Sequence, residues 1–168
     1  MYSIGDKVVY KANAVCTVEA IETPAFVNEK EKLYYKLRSI FSANNETIYV
    51  PVDAEAYIRP CLTGKEAKKK LEVLKTAEVV PFEQRQPALI NAHYQNMLAD
   101  CSFESSLLVL KEITLRKIEC EKQGKTLRQI ESHYLSVAEK TVCEELSVAF
   151  DRKVEEIRQI LEKEMLAE

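Results

Sequence analysis

The chain has 168 residues, 46% of them hydrophobic and 30% charged, with a formal net charge of −3. These totals exclude an intrinsically disordered chain. They carry no global basic signature of a nucleic-acid binder, although a local basic patch works on an acidic protein.

The length accommodates one domain or two small ones. No run approaches the roughly 20 apolar residues of a membrane span. From Met1 the chain goes straight into a strand-like pattern, without the basic and apolar regions of a secretory signal. A cytoplasmic protein with no membrane contact is expected. Cys16, Cys61, Cys101, Cys120 and Cys143 are widely spaced with no CxxC, and His93 and His133 lie far from any close cysteine pair. Zinc needs ligands clustered on short loops. Reduced, partly buried thiols are expected, with no metal and no cofactor.

Up to about residue 62 the chain reads as strands. The runs are "KVVY" (7–10), "VCTVEAIE" (15–22), "LYYKLRSI" (33–40), "TIYVPV" (47–52) and a short "YIR" (57–59). Turn material separates them: "KANA", "PAFVNEKEK" and "SANNE". Short strands in so few residues bury both faces by curling, so a small, strongly bent barrel is expected.

From Thr63 the pattern is helical. "TGKEAKKKLEVLK" offers Thr63 as N-cap and Glu66 at capping-box spacing, with Leu71 and Leu74 on one face. "TAEVVPFEQRQP" carries prolines at 81 and 87 and reads as a linker, with the domain boundary between 62 and 87. A short helix is expected at about 88–99. "FESSLLVLKEITLRKIECEKQ" then ends at Gly124, with Lys117 and Lys122 near its C-terminus. "TLRQIESHYLSVAEKTVCEELSVAF" puts Ile130, Tyr134, Val137, Ala138 and Val142 on one stripe. "DRKVEEIRQILEKEMLAE" puts Val154, Ile157, Leu161 and Met165 on another, with Asp151 as its N-terminal charge or cap. Helices with one apolar stripe bury it against each other, so a compact bundle is expected. The heptads do not persist long enough for a coiled coil. The fold class is α+β, with a β domain at 1–62 and a helical domain at 63–168.

Catalytic chemistry is missing. Gly5, Gly64 and Gly124 stand alone, so there is no phosphate-cradling loop. Ser105–Ser106 is not in a nucleophile elbow. His133 and Glu131 are neighbours that point different ways on a helix. His93 is expected to be a partly exposed helix residue. The pairs Glu144–Glu145 and Glu155–Glu156 are expected on solvated helix faces. Nothing assembles a nucleophile, a base and an oxyanion donor, so no enzyme is expected.

Four stretches in order resemble the CarD/CdnL family of bacterial transcription regulators, whose N-terminal module is shared with the transcription-repair coupling factor. They are "IGDKVVYKANAVCTVEAIE" (4–22), "EKLYYKLR" (31–38) with "TIYVPVDAEAYIRP" (47–60), "LRKIECEKQGKTL" (115–127) and "ESHYLSVAEKTVCEELSVAF" (131–150). The resemblance implies a Tudor-like small barrel that docks on the β subunit of RNA polymerase by edge-to-edge strand addition. It also implies a helical domain lying against promoter DNA at the upstream edge of the melted bubble, where it helps hold the open complex. No catalysis is implied.

Carried over by position, the polymerase-facing residues fall on "TPAF" (23–26) and "TIYVP" (47–51): Phe26, Ile48, Tyr49 and Pro51. Ile48 and Tyr49 alternate, so one faces out whichever way the strand sits. Some relatives carry Arg at the Tyr49 position, which implies a differently tuned contact.

The chain departs from the family in three places. "KANA" lacks the turn glycine of many relatives. "QPALINAHYQNMLADCSF" (86–103) has neither the tryptophan wedge nor the basic residues expected there, and the chain has no Trp. The usual Ser-Gly-Asp after this helix reads "DCS".

What remains basic is Arg116, Lys117, Lys122, Lys125 and Arg128 around a helix–turn–helix corner, against Glu119 and Glu121. Contact from this corner to promoter DNA is expected to be weak, sequence-independent and salt-sensitive. "KEAKKK" (65–70) reads as a solvated face, and the acidic stretch from Gln129 is not expected on DNA. Two readings stay open: a polymerase-bound regulator with weak DNA contact, and a protein-only polymerase adaptor. A monomer is expected in either.

Overall fold

The structure is a computed structural model. It describes residues 1–11 and 14–166, without the side chains of Glu55 and Leu166. Ala12 and Asn13 of the "KANA" turn lie outside the described residues. The chain divides into two compact units, Met1–Cys61 and Leu62–Glu168.

The first unit is a five-stranded antiparallel sheet. Its strands are β1 (Lys7–Tyr10), β2 (Ala14–Glu22), β3 (Tyr34–Ser39), β4 (Thr47–Pro51) and β5 (Ile58–Pro60), with a 3-10 turn at Glu55–Tyr57. The hydrogen-bonded order is β4-β3-β2-β1-β5. The expected barrel is found as an open sheet: among the described residues no ladder joins β4 to β5.

Alternation puts Val8, Cys16, Val18, Tyr35, Leu37, Val50 and Ile58 in one core. A register shift between Val18 and Ala20 makes a bulge in β2. One extra residue bends the strand and raises its twist, which lets so small a sheet wrap its own core.

The second unit holds α1 (Gly64–Thr76), α2 (Pro87–Met97), α3 (Phe103–Lys122), α4 (Gln129–Phe150) and α5 (Val154–Leu166). Helix α4 packs against each of the other four. Its Tyr134, Ala138, Val142 and Leu146 share a core with Ile90, Phe103, Leu110, Ile113, Ile157 and Leu161.

Capping explains where these helices stop and start. Thr63 and Glu66 form the expected capping box. Ser102 accepts from Ser105 N at 3.1 Å and starts α3. After α3, Lys125 N reaches Cys120 O at 2.8 Å and Gly124 N reaches Glu121 O at 3.1 Å. That is a Schellman end, and Gly124 takes the left-handed position it requires at φ 69°.

Three expectations need correction. Asp151, at φ 51°, closes α4 in the left-handed conformation, while α5 begins only at Val154. Its N–H and that of Arg152 return to Val148 O and Ser147 O. Glu144 and Glu145 are not solvated: Glu145 is 0% exposed and accepts from Leu62 N at 3.2 Å. Finally, the proline-marked stretch 77–86 carries no regular secondary structure but lies inside the helical unit. Phe82 stacks on His93 at 3.9 Å between ring centres, and its N–H donates to Glu112 Oε1 at 3.1 Å.

Candidate protein-docking edge and basic corner

β4 ends the sheet, paired with β3 on one side only among the described residues. Its outer backbone groups are therefore a template for another strand. The β3–β4 register sets Leu37 opposite Ile48 and Lys36 opposite Tyr49. Ile48 lies on the core side, packed against the small cluster. Tyr49 and Pro51 share the opposite face with Tyr34 and Lys36, since their positions differ by two.

The connection from β2 to β3 spans residues 23–33, longer than a tight hairpin. A turn there, closed by Val27 N to Pro24 O at 3.0 Å, lifts Phe26 out to 68% exposure. The Phe26 ring meets Tyr49 edge-on, 5.3 Å between centres at 79°. Edge-to-face pairs are favourable beyond the area they bury, so the two rings form a pre-set aromatic step beside the bare edge.

Charge surrounds that step. The Lys32 ammonium lies 6.0 Å from the Tyr34 ring centre. Glu19 pairs with Arg38 at 3.1 Å and Lys36 at 3.6 Å. The set expected from the sequence is Phe26, Ile48, Tyr49 and Pro51; Ile48 instead packs on the core side, and Lys32, Tyr34, Lys36 and Glu19 were not in that set. Strand alternation was the available signal: Tyr34 and Lys36 follow from the register once Tyr49 is placed.

Of the five basic corner residues, three share one cleft. Arg116, Lys125 and Arg128 line an open cleft of about 730 Å³ that also holds Glu83, Gln84, Glu119 and Glu131. Lys117 lines a different cleft, with Glu139, Arg158 and Glu162. Lys122 is exposed in the last turn of α3.

Glu131, 2% exposed, sits at the cleft floor. Its carboxylate is 3.4 Å from Arg128 Nη1 and 3.9 Å from Arg116 Nε. Arg128 also donates to Gln84 O at 2.5 Å. A buried carboxylate needs compensating charge, and these two guanidiniums supply it. Glu131 was missed as a corner residue, although its spacing of three from Arg128 was the signal.

Burial pushes the Cys143 thiol up to about 12, so it stays protonated at neutral pH. Burial also raises Tyr94, with Glu112 adding to it. His93 Nε2 is 3.0 Å from Glu112 Oε1 and is half-buried under Phe82. No group of His, Cys, Asp or Glu among the described residues is placed to hold a metal ion. No described helix is long and apolar enough to cross a membrane.

An antiparallel sheet whose β4 edge is flanked by an aromatic pair, followed in the chain by a helical unit, defines an α+β protein. Residues 2–62 match the model of the CarD-like/TRCF RID domain. Over 90 residues the chain is also 31% identical to the protein named "Putative transcription factor YdeB" of Bacillus subtilis (strain 168), covering 51% of this chain and 57% of that relative. The match thus spans little more than half the length of either protein.

Proposed function

We propose that this chain is a cytoplasmic transcription regulator that docks on the β subunit of RNA polymerase through its Tudor-like N-terminal module. The helical unit then modulates the stability of the open promoter complex. The carrying observation is the bare edge of β4 beside the Phe26–Tyr49 step. Strand addition would draw affinity from the backbone of 47–51 and selectivity from Tyr49, Pro51 and Phe26. Ile48 supports the strand from the core side. No catalytic step belongs to this reading.

In its first form the helical unit touches promoter DNA weakly, without sequence preference, through Arg116, Lys117, Lys122, Lys125 and Arg128. In its second form the protein is an adaptor that leaves DNA alone. The Glu131 clamp favours the second form, because it already occupies the charge of Arg116 and Arg128.

A salt titration on a forked promoter fragment separates them. DNA contact through two or three phosphates predicts a log–log slope of about −2 to −3. A flat response assigns the helical unit to protein contact alone.

A further inference from the structure

We infer that the cleft bounded by the segment 83–85, the C-terminal half of α3 and the start of α4 binds a neutral polyhydroxyl molecule, a sugar or polyol. This goes beyond both forms of the reading above, since neither uses a small molecule.

Two buried polar atoms meet at the cleft floor without bonding. Glu131 is 2% exposed, and its Oε2 lies 3.9 Å from Arg116 Nε, beyond hydrogen-bond reach. Neither atom has a hydrogen-bond partner among the described residues, although both are buried. The other carboxylate oxygen, Oε1, is already taken by Arg128 Nη1 at 3.4 Å. A donor or acceptor shielded from solvent is costly to leave unbonded, so this pair asks for a third group.

The spacing selects that group. An oxygen about 2.8 Å from both atoms bridges the gap, with about 90° between its two bonds. It must accept from Arg116 Nε–H and donate to Glu131 Oε2, and a hydroxyl does both. A phosphate or carboxylate oxygen only accepts, and Glu131 repels it. An ammonium only donates, and Arg116 repels it. A single water makes the same two bonds, but the cleft around them measures about 730 Å³, a size that small-molecule sites have.

The rest of the lining agrees. Four cations and three carboxylates nearly balance, so no strong field of either sign favours an ion. Gln84, Gln123 and Thr126 add groups that both donate and accept. No aromatic residue lines the cleft, so a nucleobase has no ring to stack on, whereas a sugar offers hydroxyls in every direction. The walls are also set in advance. Arg128 Nη1 donates to Gln84 O at 2.5 Å and fastens 83–85 to the start of α4. Lys125 N donates to Cys120 O at 2.8 Å and fixes the turn after α3. A preformed site spares the ligand the cost of ordering it.

The test uses the full chain, isotope-labelled for magnetic resonance, and follows the Arg116 Nε–H signal, assigned by its loss in Arg116→Lys. The probes are D-glucose, D-ribose and myo-inositol. Cyclohexanol, phosphate and a short DNA duplex are the comparisons. At least one polyol is expected to shift the signal saturably, with half-saturation at about 10 mM or below. Cyclohexanol, with its single hydroxyl, should bind at least about tenfold more weakly. Arg116→Lys keeps the charge but moves the donor, and should weaken polyol binding about fivefold or more, read from the Gln123 side-chain amide. Unchanged melting of that variant excludes unfolding as the cause. No saturable shift from any of the three polyols, equal binding of cyclohexanol, or unchanged affinity in a folded Arg116→Lys overturns the site. A shift from phosphate or the duplex alone assigns the cleft to anions and also overturns it.

Discussion

A few side chains carry opposite relations to pH, and the difference lies in what each carboxylate touches. Asp100 is held below the usual carboxylate range, chiefly by the Ser102 N–H at 3.0 Å. Its contribution is present above the unfolded pKa and is lost as pH falls through the folded one. Glu144 is the reverse: burial raises its carboxyl, and Lys140 offsets only part of that. The folded state therefore binds its proton more tightly, so its effect on stability worsens as pH rises from the ordinary carboxylate range through the raised value. Glu144→Gln should accordingly raise the urea midpoint at neutral pH, and the gain should shrink on acidification toward about pH 4. An identical midpoint at neutral pH would show that the buried carboxylate is fully compensated. Tyr49 belongs to the same scale. Its ring lies against Phe26, outside the main sheet core, so its loss removes contact area without opening a cavity.

The helices carry local devices that can be weighed one at a time. Thr63→Ala removes the capping box of α1 and should cost about 1 kcal/mol in denaturant unfolding. Cys101 sits at φ 55° between α2 and α3, in the left-handed region where glycine is unstrained. Cys101→Gly should therefore be neutral to stabilising by up to about 1 kcal/mol, despite the entropy glycine adds to the unfolded chain. A loss of stability would mean the cysteine side chain contributes more than its backbone strain costs. All five strands and all five helices lie near the positions that periodicity and turn chemistry indicate, because each encodes its own boundaries. What stayed illegible depends on neighbours far along the chain. The α4 stripe is readable, but α4 is packed on by four helices, so even Glu144 and Glu145 are covered. Prolines mark 77–86 as non-helical. They cannot reveal that Phe82 folds back onto His93 and Glu112. At the docking edge, Phe26, Tyr49 and Pro51 came from family resemblance and alternation. That Phe26, within the eleven-residue β2–β3 loop, touches Tyr49 on β4 required the fold.

Across the whole molecule, two units with separate hydrophobic cores divide the labour. The sheet offers backbone at its edge, whereas the helical unit offers charged corners and a polar cleft. A net charge of −3 gives the chain as a whole no attraction to nucleic acid. On the proposed reading the β4 edge grips RNA polymerase. The most direct measurement is binding of the full chain to a purified fragment of the polymerase β subunit, compared with Tyr49→Ala and with a charge reversal of Arg116, Lys117 and Lys122. The account predicts saturable binding, weakened about tenfold by Tyr49→Ala in a protein that still melts normally, and untouched by the charge reversal. Absence of binding by the wild-type chain, or equal binding by Tyr49→Ala, would contradict it.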